Sequence, residues 1–251
     1  MVNGFEKFKE HFVGYEDCYT IIGGTACDIL MNDASVDFRL TKDIDMILLI
    51  ENRFEEFAEV FWEFIKAGNY KCGWRNSEIP HFYRFTEPMS GYPVMIELFS
   101  KRPDFQLNHT DIHLTPLPVS EEISSLSAIM LDDNYYNLML KGKKVIGGIS
   151  VLDTEYLIVF KIKAYLDLRQ KKAKGEHVND KDLKKHKNDV FRLLSIADGT
   201  FRITLPSTVY NEVNDFISIV KAEPVNLKNL HLDDFAPETY YRILSSIYIS
   251  E

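Results

Sequence analysis

Asp43 and Asp45 stand two apart in "TKDIDMILLI", a stretch that alternates and then turns wholly apolar. In a strand, alternate side chains share a face. The two carboxylates then project together, about 7 Å apart along the chain, while Ile44 and Met46 turn to the buried side. A third acid, Glu97, lies between Ile96 and Leu98 in the later run "VMIELFS". If that run pairs beside the first, three carboxylates converge on one edge of a sheet. Close carboxylates repel, so either they are solvated and apart or they hold a cation. Their oxygens suit Mg²⁺, which takes one or two carboxylates and fills its shell with water and substrate phosphates. Gly23-Gly24 offers a place for those phosphates, between a strand-like "CYTII" and a helix-like "TACDILMNDA". At such a turn free backbone N–H groups and the helix dipole favour an anion, and the missing side chains admit it closely. Taken singly, each motif is also a tight turn or a solvated strand face. Their joint occurrence favours a cation and a phosphate.

Periodicity gives the elements that must position these residues. Residues 4–13 place Phe5, Phe8, Phe12 and Val13 at helical spacing. A strand ends at the glycines, and the next helix has Thr25 available as its N-cap. Residues 52–68 form the clearest helix of the first half, with Phe54, Phe57, Val60, Phe61 and Phe64 on one stripe and Gly68 as its stop. "HFYRFTEP" and "YPVMIELFS" read as strands joined at "MSG". "SLSAIMLDD" and "YNLMLKGKKVIGG" read as a further hairpin, closed near Asp133-Asn134. Four helical stretches follow at 154–174, 179–197, 206–222 and 236–250, the second capped by Asn179 or Asp180. The chain therefore reads as α+β, with a mixed β-sheet and flanking helices over 1–150 and a helical part over 151–251.

The 251 residues, 45 % apolar and 27 % charged, suffice for a sizeable core and argue against extended disorder. "MILLI" at 46–50 is far too short to span a bilayer, so no membrane partner is expected. The opening Met-Val-Asn-Gly-Phe-Glu lacks the basic and apolar regions of a secretory signal. Cys18, Cys27 and Cys72 have no metal-ligand spacing and read as reduced thiols, which makes the cytoplasm the expected location. Cys27, one turn past the glycines, reads as a small buried hydrophobe. His81, His177, His186 and His231 lack the spacing of a zinc site. The net charge of −9 disfavours nucleic acid, but residues 161–192 hold eleven Lys/Arg against five Asp/Glu, which is +6 against −15 elsewhere. That segment is either a solvated lysine-rich helix pair or a local surface that attracts phosphates.

"GGTACDIL…RLTKDIDMILL…VMIELF" resembles the active-site pattern of the DNA polymerase β-like nucleotidyltransferase superfamily. Within it the chain is most similar to the AbiEii-type group, toxins of abortive-infection and toxin–antitoxin systems. That group reads Gly-Gly-Thr-Ala and then Arg-x-(Ser/Thr)-x-Asp-x-Asp, matched here by Gly23 to Ala26 and by Arg39, Thr41, Asp43 and Asp45. In the helical half Lys161, Ala164 and Arg169 match one helix of the group. Asp189 matches the second acid of an Arg-Asp-x-x-Asp helix, with His186 standing where the first acid would be. The resemblance covers roughly residues 15–195, and the last fifty-odd match no pattern.

The resemblance implies a nucleotidyltransferase-like domain over 1–150 and transfer of a nucleotidyl group from a nucleoside triphosphate, with Mg²⁺ or Mn²⁺. Asp43, Asp45 and Glu97 would be both catalytic and metal-holding. Gly23, Gly24 and Thr25 would cradle the triphosphate and Lys161 would neutralise it, while Arg39 and Lys42 would contact phosphate or offset the acids. It implies an RNA acceptor, tRNA foremost, and a cognate antitoxin as partner. A small-molecule nucleotidyltransferase of the antibiotic-modifying kind is the alternative, as is an inactive nucleotide-binding module. The three acids weigh against the last, and the basic segment leans to RNA.

Overall fold

The computed structural model describes residues 2–49, 53–74, 83–99, 133–232 and 234–251. The strand expected over 125–132, His81 and the side chains of Phe54 and Cys72 lie outside the described residues. The fold is mixed α and β. Its strands are β1 (Tyr19–Ile22), β2 (Asp43–Leu48), β3 (Lys71–Trp74), β4 (Tyr83–Thr86), β5 (Met95–Phe99), β6 (Lys143–Ile146) and β7 (Ile149–Leu152). They form one sheet in the order β3-β4-β5-β2-β1-β7-β6. β2 runs antiparallel to β1 but parallel to β5, and β1 runs parallel to β7.

Register decides which side chains share a face of this sheet. Ile44, Met46 and Leu48 lie on the same side as Tyr19, Ile21, Phe85, Ile96 and Leu98, and all are buried. Helices α1 (Phe5–His11) and α3 (Phe54–Ala67) cover that side with rings. Phe8, Phe12 and Phe57 pack around Tyr19, while Phe61 and Trp62 meet Phe85 edge-on. Each such side chain contributes about 1.5–3 kcal/mol by leaving water. The opposite face carries Asp43, Asp45, Ile22, Arg84, Met95 and Glu97. Helix α2 (Gly23–Asp33) packs on it, in contact with α5 (Thr154–Ala173).

Between these halves lies α4 (Asp133–Gly142), and after α5 come α6 (Asp180–Leu194), β8 (Ile203–Leu205), α7 (Ser207–Ala222), α8 (Pro237–Ile247) and β9 (Tyr248–Ser250). Six successive residues of α5, Leu157 to Ile162, are buried, so this helix is enclosed on every side rather than amphipathic. Lys161 is carried inside with them. The Asp153 side chain caps α5 and Asn179 caps α6, each accepting a backbone N–H of the first turn. One continuous cluster of buried residues runs from the first helix through the sheet to Tyr248. No described helix is long and apolar enough to cross a membrane.

The structure departs from expectation in several places. Residues 133–142 form a helix, not the limb of a hairpin. Tyr135, Tyr136, Leu138, Met139 and Gly142 bury one helical face, and the hairpin is the shorter β6–β7 turned at Gly147-Gly148. Thr25 does not cap α2, which begins at Gly23 without a side-chain cap. Val13 lies beyond α1 and is 62 % exposed, so it does not extend the aromatic stripe. The last part is not wholly helical, since Tyr248–Ser250 leaves α8 to pair in parallel with Ile203–Leu205. Strand β3 was not expected at all.

Candidate active site

The start of β2 meets the end of β1. Ile22 pairs with Asp45 across the antiparallel ladder, and the chain then turns at Gly23 into α2. On the other side Asp45 lies opposite Glu97, and Asp43 opposite Met95, on parallel β5. Asp45 and Glu97 are thus nearest neighbours on one face, with Asp43 two residues along. Gly23 has φ +69°, and a β-carbon there would meet the Asp45 carboxylate at 2.0 Å. Glycine is required twice over at this position: for its left-handed backbone and for the acid that lies against it.

A cleft opens in front of these residues in two joined chambers. The inner one, about 70 Å³, is walled by Gly23, Gly24, the three acids and Arg84 on the sheet side, and by Leu157, Phe160, Lys161, Ala164, Lys185 and His186 on the helical side. The outer one, about 220 Å³, is lined by Arg39, Leu40, Thr41 and Lys42. Gly24, Asp43, Asp45 and Lys185 border both.

The electrostatics divide into an acidic and a basic cluster. Glu97 is almost fully buried, and burial with repulsion from Asp45 pushes its carboxyl up to about 8, although Arg84 donates a hydrogen bond to it. Burial and the Asp43 charge raise Asp45 to about 6, and burial raises Asp43 against the pull of Lys185. Behind them Asp189 of α6 is wholly buried and accepts from three cations. Arg39 donates to both its oxygens at 3.2 and 2.8 Å, Lys161 donates at 3.0 Å and Arg192 at 3.3 Å. Burial opposes the Asp189 charge, but Lys161 and Arg39 outweigh it and hold the carboxyl well below its usual range. The Phe38 ring lies within 5.0 Å of the Arg39 guanidinium and 5.7 Å of that of Arg192.

Each residue singled out in the sequence now has a place. Gly23 and Gly24 open α2 at the cleft, with helix N–H groups that have no intrahelical acceptor. Thr25 is buried behind them, and its hydroxyl donates to the Asp43 carbonyl instead of facing the cleft. Arg39 reaches the outer chamber with its guanidinium bound to Asp189, and Lys42 is exposed there. Lys161 touches the inner wall, but its ammonium is paired within the protein. Burial pushes the Cys27 thiol up to about 11, as suits an inert buried side chain. The cleft also includes Arg84, Lys185 and His186. Arg84 carried a readable signal, a charge alternating with apolar residues in "FYRFT", whereas nothing distinguished Lys185 within its lysine run. Burial, then Lys161 and Lys185, keep the His186 ring neutral, and its Nδ1 has no hydrogen-bond partner among the described residues.

The donor chemistry fits a hard divalent cation, since three carboxyl side chains share one face of the sheet. As placed, no three His, Cys, Asp or Glu side chains among the described residues are grouped to ligate one ion, and Glu97 is turned onto Arg84. A cation that takes one or two carboxylates and completes its shell from phosphates does not require more.

The acid cluster sets a pH dependence for the metal-free chain. Glu97 is about 8 folded and near 4.3 unfolded, so across that interval the folded state binds more protons and stability falls as pH rises. Neutral His186 acts in the opposite sense, but only below its unfolded value near 6.5. In EDTA the melting temperature is expected to decline from pH 6.5 to 8, and Glu97→Gln to flatten that decline. An unchanged slope in the variant would assign the titration elsewhere. Compared with known proteins, the chain matches no family model and no curated sequence.

Proposed function

We propose that this cleft is the active site of a nucleotidyltransferase dependent on Mg²⁺ or Mn²⁺, moving a nucleoside monophosphate from a nucleoside triphosphate to an acceptor hydroxyl. The observation that carries this is the pairing of Asp45 with Glu97 on parallel neighbours, Asp43 beside them, around the Gly23-Gly24 turn. Asp43 and Asp45, with Glu97, would hold the cation. When bound it neutralises triphosphate oxygens and stabilises charge on the attacking and leaving oxygens. The chain's own groups do the rest. The free N–H groups of α2 donate to phosphate oxygens. The acceptor oxygen attacks the α-phosphorus as the bond to the bridging β-oxygen breaks and pyrophosphate leaves. A Glu97 carboxylate oxygen would take the hydroxyl proton. Met95, Leu157, Phe160 and Ala164 give the inner chamber an apolar wall suited to a nucleobase.

The acceptor in this proposal is RNA, with tRNA the kind the resemblance implies. Lys174, Lys181 and Lys184 are exposed at the end of α5 and along α6, with no ion pair among the described residues. Contacts from them to phosphates would make binding fall steeply with salt.

Incubation with Mg²⁺, each α-³²P-labelled triphosphate in turn and total RNA tests the proposal, with label expected in the tRNA band. Asp45→Asn is expected to lower labelling roughly a thousand-fold, the upper end for loss of one charge-stabilising group, without lowering the melting temperature. Asp43→Asn and Asp45→Asn proteins that both label like wild type would refute the metal-holding role. Label on added small molecules alone would replace RNA with a compact acceptor. No transfer and no Mg²⁺-dependent triphosphate binding would leave a nucleotidyltransferase-like fold without the activity.

A further inference from the structure

The cations at the cleft are not equally available. Arg39 and Lys161 are bound to Asp189 and Arg84 is bound to Glu97. The Lys161 side chain is only 3 % exposed, and freeing its ammonium would strip a buried carboxylate of a partner. With Arg39 and Arg192 it belongs to a cluster of three cations around one anion, so the Lys161 and Arg39 charges that border the cleft are already committed to Asp189. Lys42 fronts the outer chamber alone. Lys185 differs from all of these. It has no ion pair or hydrogen bond among the described residues, it is half-buried, and it borders both chambers where Gly24, Asp43 and Asp45 meet.

We infer that Lys185 of α6, not Lys161, is the side chain that contacts the triphosphate in this cleft; the inference rests on the nucleotidyl-transfer reading above. A flexible ammonium is a point charge that can leave the acids and follow a phosphate chain as it enters. A chain of three phosphates lying from Gly24 toward the outer chamber passes this position whichever chamber holds the base. Lys161 is then a structural cation, and its conservative replacement acts on folding instead of on phosphate affinity.

Calorimetric titration with Mg²⁺ salts of ATP, CTP, GTP, UTP and inorganic tripolyphosphate tests this directly. Lys185→Gln is expected to weaken tripolyphosphate and the tightest nucleotide alike by ten- to a hundred-fold, the scale of one charge-assisted hydrogen bond. Its melting temperature should stay at the wild-type value, and Lys185→Arg should recover most of the affinity. Lys161→Met is expected to melt lower and, where folded by circular dichroism, to bind within a few-fold of wild type. Wild-type protein that binds none of the five probes would overturn the underlying reading together with the inference. Wild-type binding with undiminished binding by Lys185→Gln would overturn the Lys185 contact alone. A folded Lys161→Met protein that alone loses binding would move the contact to Lys161.

Discussion

Asp189→Ala is expected to melt about 10 °C below wild type at pH 7, the largest loss from any single change around the cleft. The substitution leaves Arg39, Lys161 and Arg192 facing a site with no carboxylate, and the Lys161 side chain is almost wholly buried. Removing one partner of a buried ionic set costs about 3–5 kcal/mol, because the charges left behind remain desolvated. In a chain of this size each kcal/mol moves the midpoint by roughly 2–4 °C. The Asp189 carboxyl is held well below its unfolded value, so its contribution is complete above about pH 4 and is lost as pH falls further. Melts at pH 7 and pH 3 separate this from simple loss of packing. The gap between wild type and variant should be widest at the first and smaller at the second, where the loss has begun. Equal gaps would show that Asp189 acts by shape instead of charge.

Gly23→Ala carries the second large effect, and it falls on labelling more than on stability. A left-handed alanine costs about 1–2 kcal/mol, while its β-carbon would lie 2.0 Å from the Asp45 carboxylate, which must swing away or push the turn open. Transfer is expected to fall to the level of Asp45→Asn, with a midpoint only a few degrees lower. Gly24→Ala is the comparison for stability. It has no positive φ, and its β-carbon meets the Thr41 methyl group at 3.1 Å and the Arg39 guanidinium at 3.5 Å, both on side chains that can give, so its melt should lie near wild type. A Gly23→Ala protein with full labelling would mean that the Asp45 carboxylate can work from another position.

The legible part of the site was its period. Asp43, Asp45 and Glu97 sit in runs whose apolar neighbours alternate, and the facing of each acid follows from that alternation alone. Which strands adjoin is a long-range matter, and the sequence motif supplied it only conditionally. Lys161 shows the limit more sharply. By spacing it is one charge on a long helix; its burial follows from the five other enclosed residues of its run and a partner on another helix. The helix at 133–142 was misread because "YNLML" satisfies a two-residue and a helical repeat equally well over so short a window. The strands Ile203–Leu205 and Tyr248–Ser250 are three residues each, too short for any repeat to appear.

The bonds from Arg39 to Asp189 join positions 150 residues apart, and this has a consequence for synthesis. At ordinary elongation rates the acidic strand emerges about ten to thirty seconds before the helix that bears Asp189. During that interval the glycine turn and the three acids exist without Lys185, Lys161 or an anchored Arg39. A nascent or truncated chain therefore has no complete cleft, and any activity of this protein begins only after most of it has left the ribosome.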